Sequence, residues 1–197
     1  MKRLGPYQFT VASTQDHLEQ VYRLNYATFV SELGQHEGDG SGRLVDKFDS
    51  KNTYLIALRG GRVVGMVTVH GEPPFSTAQR LADPSVLGSI AGRLLEVRLL
   101  AINPGERQRM VFAGLLWHVQ EYAGEKGYTH LLISGYVKRV AIYERLGFHA
   151  LGPPVRSGSV DYVPMVVALA EMPARIHREI EIMRKHFHRA ARDAGVC

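Results

Sequence analysis

Apolar residues recur at helical spacing in the segment Asp16–Leu33, which reads DHLEQVYRLNYATFVSEL. This spacing predicts an amphipathic helix. Asp16 is the predicted N-cap, with Glu19 three residues later in a capping-box arrangement, and Gly34 is the predicted stop. Residues 34–50 are polar and rich in glycine, which predicts an irregular loop.

The middle of the chain changes to runs of β-branched and other apolar residues. Residues 52–71 hold two such runs around Gly60 and Gly61, a turn pair that tolerates positive φ, and this predicts a β-hairpin. Residues 72–92 predict a connection with one short helix. Residues 93–103, RLLEVRLLAIN, are nearly all apolar and predict a central strand.

Helical and strand patterns alternate in the last part of the chain. Residues 106–127 and 137–147 predict helices, and residues 128–136, 148–155 and 159–170 predict strands. Pro164 suggests an edge or a bulge in the last strand, and Pro173 opens a C-terminal helix. The order predicts an α/β fold with a single mixed, mostly antiparallel sheet and helices on both faces. We expect a domain over residues 1–170 and a basic amphipathic helix over 171–197, packed on it or extending from it.

Composition narrows the functional class only slightly. The 197 residues carry a formal net charge of +5 and one cysteine, Cys197. One cysteine allows no intrachain disulfide, which predicts a reducing, cytoplasmic location. We expect no signal peptide after MKRLGPYQFT and no membrane span. The charge fits an anionic partner, such as a nucleotide cofactor, an acidic carrier protein or RNA, as well as a merely soluble basic enzyme.

Residues 141–148, AIYERLGF, together with the hairpin, the central strand and the helix after Pro104, resemble the GNAT acyltransferase fold. The segments YRLNYATFVSELG, DKFD and TYLIALRGGRVVG are similar to acyl-homoserine-lactone synthases and the related N-acyl amino acid synthases. Most of residues 20–170 carry this resemblance. It implies an acyl thioester as co-substrate, from acyl-CoA or acyl carrier protein, whose pantetheine arm lies between two splayed central strands.

The chain departs from these families at four positions. Met110 and Phe112 replace glycines that let backbone N–H groups approach a pyrophosphate. Asn25 and Leu99 replace two arginines of the lactone synthases. We therefore expect no close backbone cradle for CoA and no lactone production from S-adenosylmethionine.

Three residues are candidates for the chemistry of acyl transfer to an amine. The resemblance implies that Tyr143 protonates the leaving thiolate; the alternative is a tyrosine that only packs the helix on the sheet. Glu96, in an otherwise apolar strand, is a candidate base or proton relay, and alternation places it on the same face as Arg98. The alternative is a structural ion pair with Arg98 or Arg93. His70 is a second candidate base, against the alternative of an exposed strand-end histidine.

The binding residues follow mainly from the resemblance. Asp46 and Asp49 are expected to bind or order the amine substrate, with Phe29 and Arg98 as further contacts; the alternative is a solvated loop. A backbone N–H between Leu100 and Ile102 is the expected oxyanion donor. Charge could hold the donor's phosphates where glycine is absent; the donor-side candidates at the start of the helix are Arg107, Arg109, Met110 and Phe112. The nine histidines are scattered, and we expect no metal site.

The resulting hypothesis is an N-acyltransferase acting on the amine of a small molecule or amino acid, as a monomer or homodimer. One alternative uses aminoacyl-tRNA as donor, because the glycines are missing and the terminal helix is basic. The other is a non-catalytic binding module that keeps the fold.

Overall fold

A computed structural model describes residues 2–107, 109–158, 160–174, 176, 178, 181–182 and 185. The chain forms two compact units, each assembled from separate segments. The first unit takes its described residues from Met1–Val69, Leu99–Glu121 and Arg178–Cys197, and the second from His70–Arg98 and Tyr122–His177. The boundary between residues 170 and 171 stays a prediction, because most residues after 174 lie outside the described part.

The first unit contains consecutive antiparallel strands. They are β1 (Lys2–Leu4), β2 (Tyr7–Val11), β3 (Thr53–Arg59) and β4 (Arg62–His70), whose last residue belongs to the second unit. Gly60 and Gly61 have φ of +56° and +79°, so the predicted hairpin is confirmed at a turn that requires positive φ. The first two strands were not predicted, because one is short and polar and the other is only five residues long.

Helix α1 (Gln15–Asn25) continues into π-helical turns over Tyr26–Glu32. The predicted helix is confirmed in extent, but its N-cap is Thr14, whose hydroxyl accepts a hydrogen bond from the His17 N–H at 3.1 Å. The predictions of Asp16 as N-cap and Glu19 in a capping box are therefore wrong. One face of the helix and the following turns is buried in a cluster with strand side chains, namely Val21, Tyr22, Leu24, Phe29, Tyr54, Ile56, Leu58, Val63, Met66 and Ala101.

Helix α2 (Arg109–Glu125) packs closely against strands β2 and β4 at two glycines, Gly114 and Gly65. A Cβ on Gly114 would lie 2.2 Å from the Phe9 ring, and one on Gly65 would lie 3.0 Å from Val111. Both glycines are therefore required by close approach of neighbouring side chains. No helix in the described part of the chain has the length and apolar character needed to cross a membrane.

The second unit is built on a sheet around β9. Its strands are β5 (Leu94–Ile102), which ends in the first unit, β6 (His130–Tyr136), β7 (His149–Ala150), β8 (Val155–Ser157) and β9 (Val160–Ala168). β6 runs antiparallel to β9 along its whole length, and β7 and β8 pair with the other side of β9. Among the described pairings only β5–β6 is parallel, so the predicted α/β class with mostly antiparallel pairing is confirmed.

For the second unit, the prediction of one helix after β4 is wrong, and of the two alternatives for Pro164 the edge position is wrong. The connection after β4 forms two 3₁₀ turns, Thr77–Arg80 and Pro84–Ser89, rather than one helix. Pro164 lies in an interior strand, not at an edge. The Pro164 carbonyl accepts from the Leu151 N–H at 2.8 Å at the break between β7 and β8. The missing proline N–H faces the same side, where no strand requires it.

Candidate active site

Glu96 is a fully buried carboxylate in β5, with 0% of its surface exposed. Ser76 donates to it from both its backbone N–H and its hydroxyl at 2.9 Å. Thr77 donates from its N–H at 2.7 Å and from its hydroxyl at 2.6 Å. Four hydrogen bonds from one short segment therefore hold this charge in an apolar strand, which makes its burial tolerable.

His70, the last residue of β4, forms a pair with Glu96. Its Nε2 lies 3.0 Å from Glu96 Oε2, and its ring stacks on Phe75 with centroids 5.7 Å apart. Its side chain is 0% exposed, so the alternative of an exposed strand-end histidine is wrong. Arg98 Nε lies 3.8 Å from the same Glu96 oxygen, as the predicted shared face requires, whereas Arg93 donates to the Lys126 carbonyl.

The surroundings of Glu96 keep it ionised. Burial raises its pKa, but hydrogen bonds from His70, Thr77 and Ser76 outweigh burial and bring the pKa to about 2. A carboxylate with so low a pKa is a weak proton acceptor by itself. Its geometry suits it to fix the orientation and charge of the His70 ring.

Tyr143 lies on helix α3 (Val140–Arg145) and packs across β6. A Cβ on Gly135 would lie 2.9 Å from Tyr143 Cδ2, and Phe148 contacts the ring edge-to-face with centroids 6.4 Å apart. Burial raises the pKa of Tyr143, although the Tyr136 backbone and Arg139 act in the opposite direction. The phenol therefore keeps its proton at neutral pH and can act as an acid.

The two sets of candidate groups lie on opposite faces of β6. Ser134 is 3.0 Å from Thr77 through their hydroxyls, on the side of the Glu96 network, whereas the neighbouring Gly135 contacts Tyr143. The parallel pairing of β5 with β6 ends at Glu96 and Leu132. In the pairings described for this unit, β6 continues to Tyr136 with β9 alone, which leaves one backbone edge of β6 open between the two faces.

The residues expected to bind the donor belong to the first unit. Leu100 is 38% exposed and Ile102 is half-buried. Leu99, just before them, has φ of +47°, the single positive value among the described non-glycine residues. A leucine in this conformation marks local strain of the kind that clusters at functional sites. Sequence reasoning missed it, because leucine identity carries no signal for positive φ.

The start of α2 does not present free cationic side chains in the described residues. Arg107 donates from Nη1 to Glu32 at 2.7 Å and from Nη2 to the same carboxylate, while its Nε donates to the Ile102 carbonyl at 3.1 Å. Met110 is 38% exposed and Phe112 is half-buried. The Arg109 side chain lies outside the described part. Each nitrogen of the Arg107 guanidinium therefore already donates one hydrogen bond within the protein.

Asp46 and Asp49 also belong to the first unit, and they accept hydrogen bonds from an asparagine and from two tyrosines. Asp49 accepts from the hydroxyls of Tyr22 at 3.0 Å and Tyr54 at 2.5 Å, and Asp46 accepts from Asn52 Nδ2 at 2.8 Å. Burial and the Asp49 hydrogen bond raise the pKa values of both tyrosines. Tyr22, Asp49 and Tyr54 line a cavity of about 290 Å³.

The other two residues expected to contact the amine substrate belong to different units. Phe29 is buried in the α1 cluster of the first unit, whereas Arg98 lies beside Glu96 in the second. Ser76 and Thr77 were missed by sequence reasoning, because their segment has no periodic pattern and they reach Glu96 across 19–20 residues. Among the described residues, no group of three histidine, cysteine or acidic side chains could hold a metal ion.

The sequence profile described as "N-acyl amino acid synthase FeeM" matches residues 20–171. The structure of FeeM, from uncultured soil microbes, is 16% identical with a TM-score of 0.68, covering 87% of this chain and 93% of FeeM. BjaI, a CoA-dependent acyl-homoserine lactone synthase, is 21% identical with a TM-score of 0.69, covering 92% and 90%. Escherichia coli ElaA is 12% identical with a TM-score of 0.58, covering 85% and 99%. No curated protein sequence matches the chain. The resemblance inferred from the sequence, including its fold, is confirmed.

Proposed function

The chain belongs to the FeeM N-acyl amino acid synthase family and is an acyltransferase, and from this premise we propose that it moves an acyl group from a thioester to the amine of a small molecule or amino acid. The observation that carries the proposal is the buried His70–Glu96 pair, held by Ser76 and Thr77 beside the open edge of β6. Such a pair supplies a proton acceptor where an acyl group can be attacked.

In the proposed reaction the amine nitrogen attacks the thioester carbonyl carbon. The His70–Glu96 pair takes the proton that the amine nitrogen loses, and Glu96 balances the charge of the resulting imidazolium. The C–S bond then breaks, and the departing thiolate takes a proton from the Tyr143 phenol, whose raised pKa keeps it protonated beforehand. The products are an amide and a free thiol.

We propose acyl-CoA or acyl carrier protein as the source of the thioester. BjaI, which shares the fold, is CoA-dependent, and this supports acyl-CoA. The pairing of Arg107 with Glu32 opposes a preformed phosphate site at that side chain, and this keeps a carrier-bound thioester in the proposal. The basic C-terminal segment that motivated the aminoacyl-tRNA alternative lies mostly outside the described residues, so no observation favours that donor.

Asp46, Asp49 and Phe29 remain proposed contacts of the acceptor. Support comes for Asp49 alone, which with two tyrosines lines a cavity that can accommodate a small polar group. Asp49 is already engaged by both tyrosine hydroxyls, so a ligand there would share or displace these hydrogen bonds. Leu100 and Ile102 remain the proposed backbone donors toward the oxyanion.

The test is thiol release by the purified full chain, with short- and long-chain acyl-CoA, the same acyl groups on acyl carrier protein, and the protein amino acids and simple amines as acceptors. We expect amide formation matched by thiol release. In His70→Gln, the rate of thiol release should fall about 100-fold or more. Tyr143→Phe should lower kcat about 10-fold or more. The matched control is His149→Gln, because His149 is an exposed residue of β7 in the same unit. Absence of thiol release with every donor and acceptor would overturn the proposal.

A further inference from the structure

The chain adopts an uncommon conformation directly after helix α1, in the turns that carry Phe29. Tyr26–Glu32 form seven residues of π-helix, and the Leu33 N–H that follows donates to the Thr28 carbonyl, five residues back, at 3.0 Å. π-Helical turns are rare, occur mostly as single turns and are frequent at functional sites. A run of this length is therefore expected to depend on contacts from outside the helix.

A second uncommon backbone conformation packs against the same apolar cluster. Leu99, with its φ of +47°, contacts the α1 cluster in which Phe29 is buried. The proposed oxyanion donors Leu100 and Ile102 follow Leu99 in β5, and all these residues belong to the first unit. The segment with the proposed acceptor contact and the segment with the proposed oxyanion donors thus share one cluster.

The Arg107 guanidinium links these two segments. Its Nη1 and Nη2 donate to the carboxylate of Glu32, the last residue of the π-helical turns, and its Nε donates to the carbonyl of Ile102, the last residue of β5. The two-point contact with the carboxylate fixes the orientation of both side chains. Both side chains are exposed to solvent, however, and an exposed ion pair contributes little free energy. Another anion can therefore replace Glu32 at moderate cost.

We propose that the Glu32–Arg107 pair is a latch on the π-helical turns and that the phosphate of an anionic donor opens it. The inference rests on the proposed function and deepens it by coupling the donor to Phe29. Phosphate oxygens take the place of the Glu32 carboxylate on Nη1 and Nη2, while Nε keeps its bond to Ile102. The anion binds the state in which Glu32 has left Arg107, so it shifts the population toward that state. The turns that carry Phe29 then lose their link to β5.

The test is hydrogen exchange of the amides of residues 26–36 in the purified full chain, followed by mass spectrometry. Free CoA is the probe, and pantetheine is the matched probe without phosphates. We expect CoA to raise the exchange rates of these amides about 3- to 5-fold in the wild type, and pantetheine to leave them unchanged. Glu32→Gln and Arg107→Gln should show the raised rates without any probe, and CoA should not raise them further.

The matched control is Glu121→Gln, which removes the ion pair with Lys2 elsewhere in the first unit and should leave the rates and the CoA response of residues 26–36 unchanged. Wild-type rates in Glu32→Gln, a CoA response that persists in Arg107→Gln, or a wild type that answers CoA and pantetheine equally or not at all would overturn the latch. Exchange needs no turnover, so these results are independent of thiol release. The expected response in a protein that releases no thiol would support the latch and contradict acyl transfer, and the reverse result would do the opposite.

Discussion

Glu96 and Asp49 both accept hydrogen bonds from hydroxyl groups, but they differ in burial and in their other donors. Glu96, in the second unit, is 0% exposed and receives backbone N–H groups as well as hydroxyls and the His70 ring. Asp49, in the first unit, is half-buried at the start of the 3₁₀ turn Asp49–Lys51 and accepts hydrogen bonds from the phenols of Tyr22 and Tyr54. One carboxylate is thus held by backbone N–H groups, hydroxyls and an imidazole, and the other by two phenols.

The pKa of a carboxylate is shifted at the first place, and the pKa values of two phenols are shifted at the second. At Glu96 the hydrogen bonds act on the carboxylate and lower its pKa to about 2. At Asp49, burial and the hydrogen bond to its carboxylate raise the pKa values of Tyr22 and Tyr54. Hydrogen bonds to the charged form of Glu96 stabilise that form, whereas the neighbouring Asp49 carboxylate disfavours the ionised form of each phenol. Glu96 is therefore the better candidate for organising proton transfer, and Asp49 for shaping a binding surface.

The largest expected effect that separates the two residues is on turnover. Glu96→Gln removes the charge that holds His70 while keeping the size of the side chain, and kcat should fall about 100-fold or more. Asp49→Asn should change kcat only a few-fold. Steady-state kinetics with saturating substrates measures both, and Glu144→Gln, an exposed residue of α3, is the control. Similar kcat losses in both variants would contradict the distinction.

Acid stability gives the next largest effect. The pKa of Glu96 is depressed from its ordinary value of 4.5 to about 2, so its contribution is present above the unfolded-state value and is lost as pH falls through the folded-state value. The contribution is about 3 kcal/mol, lost between about pH 5 and pH 2. Urea unfolding should show this extra loss in the wild type and not in Glu96→Gln. Parallel curves for the two proteins across this range would show that the charge of Glu96 is not stabilising.

Asp49→Asn should affect stability more modestly. Tyr22 and Tyr54 would keep an amide oxygen as acceptor but lose the charged one, at a cost of about 1–2 kcal/mol. The pKa values of both phenols should fall, which absorbance at alkaline pH can follow. Glu37→Gln, an exposed loop residue, is the control. Unchanged phenol titration would show that burial alone raises these pKa values.

The smallest effect is expected at Glu32, a carboxylate that is more exposed to solvent than Glu96 or Asp49. Glu32→Gln would remove the charge that engages Arg107 and leave the guanidinium available to an anion. KM for an acyl-CoA donor should fall a few-fold, while KM for the same acyl group on pantetheine, which lacks the CoA phosphates, should not change. Equal changes for both donors would show that Arg107 does not contact phosphate. The pair is exposed to solvent, so little change in stability is expected.

Much of the fold and part of the candidate site could be predicted from local pattern. The apolar run around Glu96 identified a central strand, and its single carboxylate stood out because charge is costly there. The Gly60–Gly61 pair identified the hairpin, since its backbone needs positive φ. Tyr143 followed from the helix and its exit. Residues whose partners are distant in sequence had no such signal: Ser76 and Thr77 lie in a segment with no periodic sequence pattern, and their role comes from contacts with Glu96 and Ser134.

By itself, the sequence determined the order of the main helices and strands, the family and the residue types available for acyl transfer. These properties depend on periodicity and motifs that lie within short segments. Only the tertiary structure decided that His70 is buried against Glu96 and that Arg107 is engaged by Glu32 and by the Ile102 carbonyl. Burial and hydrogen bonding depend on residues brought together from distant segments, and these interactions set the charge state and orientation of each candidate group.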